Sequence, residues 1–405
     1  MNKIPTVNLL SPEFKANPYP FYAQLRAEAP VHRTTLPNKQ PVWLITRYDD
    51  VMMVLKDDQR FVKNLDNARP VEQKAKSSWM IPVFNPLGHN MLDTDWDDHS
   101  RLRDLVHKAF TPSLVAQMRD RVQTLADELL DQAERKGQMD VIQDYALPIT
   151  LTVISEILGV SAADQAQFQR WSRSFLSPGS LPGLLLSIPS FIMMSRFLRR
   201  TFKERRTDPH EDLITALVQA EAAGDKLNED ELLSLVFLLL IAGHETTVNL
   251  IGSGTLALLE NPDQLALLRQ QPDLIKNATE ELLRYVSPVE QATERYARED
   301  VTLHNVTIPK GELVLAVVAS ANRDEGQFDH PDQLDITRKI VKHAAFGQGV
   351  HYCVGAPLAR MEGQIALQTL VNRMPDLKLK VAPEKLRWRP TPTVRGLEAL
   401  PVLLS

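Results

Sequence analysis

The chain has 405 residues, 43% hydrophobic and 24% charged, with a formal net charge of -5; these values suit a folded globular protein with a large core and, by length alone, two or three domains. The mild acidity excludes a non-specific nucleic-acid binder, which needs a basic stripe that is missing here. A single cysteine excludes an internal disulfide and any zinc or iron–sulfur site assembled from several thiolates, and it fits a reducing compartment.

Met1–Leu10 has neither a long apolar core nor a small-residue cleavage site, so it reads as neither signal peptide nor anchor. The first strand signal is V-W-L-I-T at Val42–Thr46. Most of the remaining chain carries helical periodicity, and no internal repeat, low-complexity tract or long linker interrupts it. The apolar stretch Leu181–Ser195 is broken by Pro182, Gly183 and Pro189, and Leu235–Gly243 falls short of the roughly 20 residues that span a bilayer. No membrane span and a cytoplasmic location are therefore expected.

The most distinctive predicted helix starts at Asn228, where an Asn followed three residues later by Glu231 has the pattern of a capping box, and runs to the Asn261-Pro262 break. At about 1.5 Å per residue it is roughly 45 Å long. Its first half is apolar on every face, which predicts burial on all sides. Ala242-Gly243-His244-Glu245-Thr246-Thr247 then places a carboxylate and two hydroxyls in its middle, either where the helix surfaces or against a water-containing pocket. A second helix is predicted over Pro272–Val286, with Ile275, Ala278, Leu282 and Tyr285 on its buried face and Glu281 and Arg284 at the edge of it. Further strand signals lie at Val301–Leu303, Val306–Ile308 and Leu313–Val318. A third helix carries Leu367, Leu370, Val371 and Met374 at helical spacing. The overall expectation is a mostly α protein with a small β-rich lobe.

The lone cysteine, Cys353, lies on a glycine-rich loop that feeds this third helix. Three readings are open: an inert buried thiol, a nucleophile, or a solitary metal ligand. Gly347, Gly349 and Gly355 around it favour a site where backbone approaches something bulky. A helix N-terminus favours thiolate. A cysteine hydrolase using His351 is set aside, because two residues apart on a turn they do not form a nucleophile–base pair and no orienting third group is evident.

F-G-Q-G-V-H-Y-C-V-G at Phe346–Gly355 resembles the haem-binding loop of the cytochrome P450 superfamily. A-G-H-E-T at Ala242–Thr246 is similar to its oxygen-activation motif, E-L-L-R at Glu281–Arg284 to its E-x-x-R signature, and Phe328–Arg338 to the segment supplying the third member of that ion network. Order and spacing agree over nearly the whole chain. P-V-E-Q-A-T-E-R-Y-A, A-N-R-D and H-Y-C-V-G-A-P-L-A-R-M-E resemble most the soluble bacterial branch that tailors macrolides and other polyketides. One departure is Asp95-Trp96-Asp97-Asp98-His99, where the family commonly has Asp-Pro-Pro, so the start of that helix is expected to differ.

The resemblance implies one catalytic domain over residues 1–405, with the β-rich lobe drawn from about 1–70 and 290–320, and a triangular prism of helices around haem. It implies haem b (heme b, iron protoporphyrin IX) with Cys353 as the metal ligand, an axial thiolate that favours O–O cleavage. His99, Arg103, Arg295 and His351 are implied at the propionates, and Ala242, Gly243, Phe346, Gly347 and Gly355 against the cofactor, Gly243 leaving room for dioxygen. Thr246 is implied to hold oxygen and an ordered water by hydrogen bonds, and Glu245 to relay protons from solvent. Glu281, Arg284 and Arg338 form a structural ion network, and Val289, Ala292 and Thr293 line the substrate pocket. Ser174–Met194 resembles the lid over that pocket, broken into mobile pieces by Pro and Gly, and His107 and His343 are surface residues. The segments expected to touch substrate, about 60–90 and 170–200, are those in which family members differ most.

The implied function is a haem-thiolate monooxygenase that inserts one atom of O2 into a C–H bond of an apolar small molecule, by hydroxylation or as an epoxidation. The substrate expected from the branch is a polyketide or macrolide of secondary-metabolite (antibiotic) biosynthesis; a steroid, terpenoid or fatty acid is the alternative. Electrons come from NAD(P)H through a ferredoxin or flavodoxin and its reductase, since one fold already uses the whole chain. A peroxide-driven oxygenase or a haem carrier without turnover has no need of the Glu245–Thr246 pair. A monomer is expected.

Overall fold

The structure, a computed structural model, describes residues 4–5, 7–69, 88, 90–176, 181–222, 227–339 and 342–404. In chain order, α1 (Pro12–Ala16) and α2 (Tyr19–Glu28) lead into β1 (Val31–Thr35), β2 (Pro41–Ile45), α3 (Tyr48–Lys56) and β3 (Phe61–Val62). Then come α4 (Trp96–Ala109), α5 (Pro112–Lys136), β4 (Gln138–Asp140), α6 (Leu147–Ile157), α7 (Ala162–Leu176), α8 (Leu181–Thr207), α9 (Leu213–Ala222) and α10 (Glu229–Glu260). The remainder holds α11 (Pro262–Gln270), α12 (Ile275–Val286), β5 (Arg295–Ala297), β6 (Val301–Leu303), β7 (Val306–Ile308), β8 (Leu313–Ala316), α13 (Val318–Ala321), α14 (Ala356–Arg373), β9 (Lys378–Leu379) and β10 (Pro401–Leu403). The chain divides into two compact units: residues 1–73, 122–147 and 246–405 in one, and 74–121 and 148–245 in the other.

The first unit contains the ten strands found among the described residues. Its main sheet has the order β1-β2-β8-β5-β3, with β2 and β8 parallel and the other pairs antiparallel. The unbroken apolar run of β2 follows from its position inside this sheet, because both faces are covered. Val42 and Leu44 pack with Phe14, Tyr22 and Leu25 of α1 and α2, while Trp43 and Ile45 pack with Val51, Val54 and Leu55 of α3. The strand signal at 313–318 ends earlier than expected, since Val318 already opens α13.

Two charged groups sit inside this lobe. Lys15 is fully buried with its Nζ 2.6 Å from Glu290 Oε2, and the Tyr22 hydroxyl donates to the other oxygen at 2.5 Å. Burial pushes the lysine pKa down while Glu290 opposes it. The pair ties α1 to the segment after α12, and it holds because each charge is compensated where water is excluded.

In the second unit α8 packs on α7 and α9, and α9 on α4. The expectation that Pro and Gly break 174–194 into pieces is corrected for the described part: Leu181–Thr207 is a single helix with Pro189 inside it. Pro182 falls in the first turn, where no intrahelical N–H is needed. Phe191, Met194, Phe197, Leu198 and Phe202 are buried on one side and hold the helix through Pro189. Leu186, in the turn before Pro189, is 80% exposed. Residues 177–180 of that segment, and 70–87 and 89 of the one near 60–90, lie outside the described residues.

The start of α10 follows the sequence pattern closely. Asn228 Oδ1 accepts from the N–H groups of Asp230 (3.0 Å) and Glu231 (2.9 Å), and Glu231 Oε2 accepts from Asn228 N–H at 2.9 Å. Among the described residues, α10 is the one helix with the length and hydropathy of a membrane span, and 61% of that window is buried within the protein, as befits a core helix.

Candidate functional site

Cys353 follows a short helical turn, Gly349–His351, and precedes α14, whose N-cap is Gly355. The loop is fixed by its own backbone: Cys353 N–H donates to Phe346 O at 2.9 Å, Tyr352 N–H to Gly349 O at 3.0 Å, and Gly347 N–H to Ala344 O at 2.9 Å. Gly347 and Gly349 have φ of +69° and +74°, and a Cβ on Gly349 would lie 2.7 Å from the carbonyl oxygen of Leu55. Any side chain there would push the loop off the end of α3. Cys353 itself is exposed. A helix N-terminus following a thiol is a place where the backbone dipole favours an anion.

Phe346 is held from above by a clamp that sequence reasoning did not assign. The Arg360 guanidinium lies 4.4 Å from the Phe346 ring centroid and binds Glu280 through two hydrogen bonds of 2.6 and 2.8 Å. His343 Nε2 lies 3.1 Å from the same carboxylate. The expectation that His343 is a surface residue is therefore corrected: its side chain is 5% exposed, because Glu280 and the loop pack over it. His107 is exposed, as expected. Burial alone would raise the Glu280 pKa, but Arg360 and His343 hold it down at about 2.

A depressed carboxylate pKa contributes stability that is fully present above the unfolded value and is lost as pH falls toward the folded value. Glu280→Gln should thus cost on the order of 2–3 kcal/mol near pH 7. In urea titrations the gap between the parent and the variant should stay constant down to about pH 5 and shrink below it. A gap that is independent of pH would contradict the pairing.

Arg295, on β5, is 4% exposed, and its Nη1 donates to Thr293 O at 3.2 Å. His351 is half-buried in the turn before the cysteine. Val289, Ala292 and Thr293 are half-buried in a segment where Glu290, Gln291 and Arg295 are buried and Glu294 is exposed. The buried Lys63 donates to Thr293 Oγ1 at 2.7 Å and to Glu294 O at 2.5 Å. Val289 bridges to Val394, and Glu290 N–H donates to Thr393 O at 2.8 Å. Thr393 and Val394 are thus neighbours of the expected pocket segment that the sequence reading missed, since no local signal links positions about a hundred residues apart.

The Glu281–Arg284 pair is not at the edge of a buried face, as the spacing suggested, but inside: the two side chains are 3% and 2% exposed. Arg284 donates from Nε and Nη2 to the two oxygens of Glu281 at 2.8 Å each, from Nη1 to the carbonyls of Asn322 and Pro331 at 2.8 Å, and from Nη2 to Gln333 O at 3.2 Å. All five N–H donors are used. Arg338 Nε joins the same carboxylate at 3.2 Å.

Along α10 the sequence pattern reads as burial, then exposure, then burial. Leu232–Phe237 and Thr247–Leu250 are buried, whereas Glu245 and Thr246 are half-buried and Ala242 is exposed. Ala242, Glu245 and Thr246 lie on one face. A Cβ on Gly243 would lie 3.1 Å from Ile154 Cδ1 of α6, so a larger residue there would require the end of that side chain to give by a few tenths of an ångström. On α4, His99 is 2% exposed and Arg103, one turn on, is half-buried. The departure before His99 has a structural counterpart, since Trp96 opens α4 with φ +48°, a strained conformation for a bulky residue.

The features of the first unit fit a haem: the thiol of Cys353 lies on a loop kept slim by Gly347 and Gly349 ahead of α14, and Arg295 and His351 offer cationic or hydrogen-bonding groups in the same unit.

A family model described as "Cytochrome P450" matches residues 191–394. The chain is 42% identical over 398 residues to "Polyketide biosynthesis cytochrome P450 PksS" of Bacillus subtilis (97% of each chain). It is 44% identical over 396 residues to "Cytochrome P450 monooxygenase PikC" of Streptomyces venezuelae (97% of this chain, 92% of that one). The solved structure of the Bacillus subtilis bacillaene polyketide synthase P450 PksS superimposes with a TM-score of 0.90 at 41% identity, over 99% of this chain and all of that one.

Proposed function

Because this chain belongs to the cytochrome P450 family, and is thus a haem-dependent oxidoreductase using O2 and electrons from NAD(P)H through redox partners, we propose that it hydroxylates a polyketide-derived small molecule in the cytoplasm. The observation that carries this reading is the accessible Glu245–Thr246 step on an otherwise buried helix, since a haem carrier has no use for a proton-transfer pair there. The polyketide assignment is supported by the high identity to a relative named for polyketide biosynthesis.

Cys353 would hold the iron, and His99, Arg103, Arg295 and His351 would hold the propionates. When bound, the haem supplies activation of O2 and insertion of one oxygen atom into a C–H bond, chemistry that belongs to the cofactor. The chain's own work is to keep the sulfur anionic at the start of α14, to hold a proton at the Thr246 hydroxyl, and to move protons inward from solvent through the Glu245 carboxylate. The Lys63 ammonium fixes Thr293 Oγ1 and so the shape of the pocket segment. Leu and Met side chains exposed on α8 supply apolar surface for substrate.

The test couples the protein to a ferredoxin and its reductase and measures NAD(P)H consumed, O2 consumed and product formed, for macrolactones, steroids and fatty acids that shift the haem spin state. Thr246→Ala should keep NAD(P)H consumption while product per NAD(P)H falls at least about tenfold. Turnover from peroxide alone at the full rate would overturn the monooxygenase reading. Spin-state shifts with steroids or fatty acids only would overturn the polyketide assignment and leave the reaction class standing.

A further inference from the structure

Ser287 ends α12 with φ +42°, and the segment that follows, residues 288–294, is irregular up to β5 apart from the bridge at Val289. Buried cations nonetheless hold it at both ends. At one end Lys15 of α1 and Tyr22 of α2 converge on the two carboxylate oxygens of Glu290, at 2.6 and 2.5 Å. At the other, Lys63 donates to Thr293 Oγ1 and Glu294 O. Between them Ala319 N–H donates to Glu290 O at 3.0 Å and Ala292 N–H to Ala316 O at 2.9 Å.

Arg395 ties α1 to the same segment by a separate route. Its main-chain N–H donates to Pro288 O at 3.0 Å. Its guanidinium, 3.7 Å from the Trp388 ring centroid, donates to Lys15 O and Ala16 O at 2.9 Å each.

Stability of the fold does not require such a clamp. Lys15, Tyr22 and Glu290 are 0% exposed, and apolar side chains of similar volume in place of a buried ionic set often leave stability unchanged or raised. What an apolar set loses is direction. Hydrogen bonds fix distance and angle together, whereas apolar contacts tolerate small displacements and give up a unique geometry before they give up stability. A directional clamp matters where neighbouring groups must stand within a fraction of an ångström of one position. The neighbours of Glu290 are the half-buried Val289, Ala292 and Thr293.

We propose that Lys15 and Tyr22 are specificity-determining positioning residues. Acting through Glu290, they set where Val289, Ala292 and Thr293 stand, so that two N-terminal helices govern which ligand shapes the pocket accepts. The inference rests on the reading of those three residues as pocket-lining, and it is independent of the polyketide assignment.

The test compares the parent holoprotein with Lys15→Met/Tyr22→Phe/Glu290→Met, in which an apolar set of similar volume replaces the clamp. The readouts are the thermal unfolding midpoint and the dissociation constants of imidazole and N-phenylimidazole, followed by the shift of the haem Soret band. The midpoint should stay at or above that of the parent, and imidazole, too small to reach a pocket wall, should bind as in the parent. Affinity for N-phenylimidazole should change about tenfold. A merely structural clamp predicts parent-like affinity for both probes once stability is kept; that result, or an equal change for both probes, would overturn the proposal. Should the triple variant fail to fold or melt below the parent, Tyr22→Phe decides, since it removes one hydroxyl: a several-fold change in the ratio of the two affinities is expected, and a parent-like ratio refutes the positioning role. Ala292→Phe separates the two readings. If it too binds N-phenylimidazole as the parent does, the pocket assignment has failed and the proposal falls with it; if the clamp variants alone are parent-like, the pocket assignment stands and the proposal fails by itself.

Discussion

Cys353→Ser is expected to yield a folded protein whose reduced carbon monoxide adduct lacks the long-wavelength Soret band of a thiolate-ligated haem and whose turnover drops to background. The backbone of the loop is held by the hydrogen bond from Cys353 N–H to Phe346 O and by the turn at Gly349, none of which needs the sulfur. What is lost is the anionic ligand, because a serine hydroxyl stays protonated at neutral pH, and with it the electron density that favours O–O cleavage. The measurement is the difference spectrum together with the ratio of haem to protein. Retention of the thiolate band in the serine variant would refute the assignment of the metal ligand outright, since the chain has one cysteine.

The second large effect concerns stability. Arg284→Ala should destabilise the protein by about 3–5 kcal/mol, because it strands a buried carboxylate rather than removing a pair. Glu281 would keep only the partners Arg338 Nε and Asp335 N–H, and the carbonyls of Asn322, Pro331 and Gln333 would lose their shared donor. Arg284→Lys should be nearly as severe, since a compact ammonium with three donors cannot reach five acceptors spread over a planar fork. Thermal and urea unfolding of the purified variants, with the yield of soluble holoprotein, check this. A loss under about 1 kcal/mol for the alanine variant would show that the buried network is replaceable by solvent.

Much of this was legible from the residues. The capping box at Asn228 and Glu231 depends on atoms three positions apart and appears in the structure with both hydrogen bonds formed. Of the strands near the N-terminus, β2 announced itself as an apolar run between turn residues while β1 and β3 did not, and the structure adds the reason for the uninterrupted run in β2, a helix layer on each face. The constellation at Phe346–Gly355 carried the cofactor class through its resemblance to a known family, together with the motifs at Ala242–Thr246 and Glu281–Arg284. Other features were invisible for a common reason. His343 has no local mark of burial, and only the approach of Glu280 and Arg360 makes it so. The approach of Ile154 to Gly243 likewise comes from a helix about ninety residues away. Pro and Gly after Ser174 promised breaks, yet α8 runs through Pro189 because five buried side chains anchor it elsewhere.

By itself, then, the amino-acid order determined which segments coil, where they begin, and which lone sulfur could take a metal, since caps, periodicity and turn residues act over a few positions. Tertiary structure alone decided which charges lie inside. Lys15, Glu281, Arg284 and Glu362 look like ordinary surface residues in the sequence and are all under 5% exposed. The physical reason is that the cost of burying a charge depends on partners brought together from distant parts of the chain, and no local pattern records which partners will arrive.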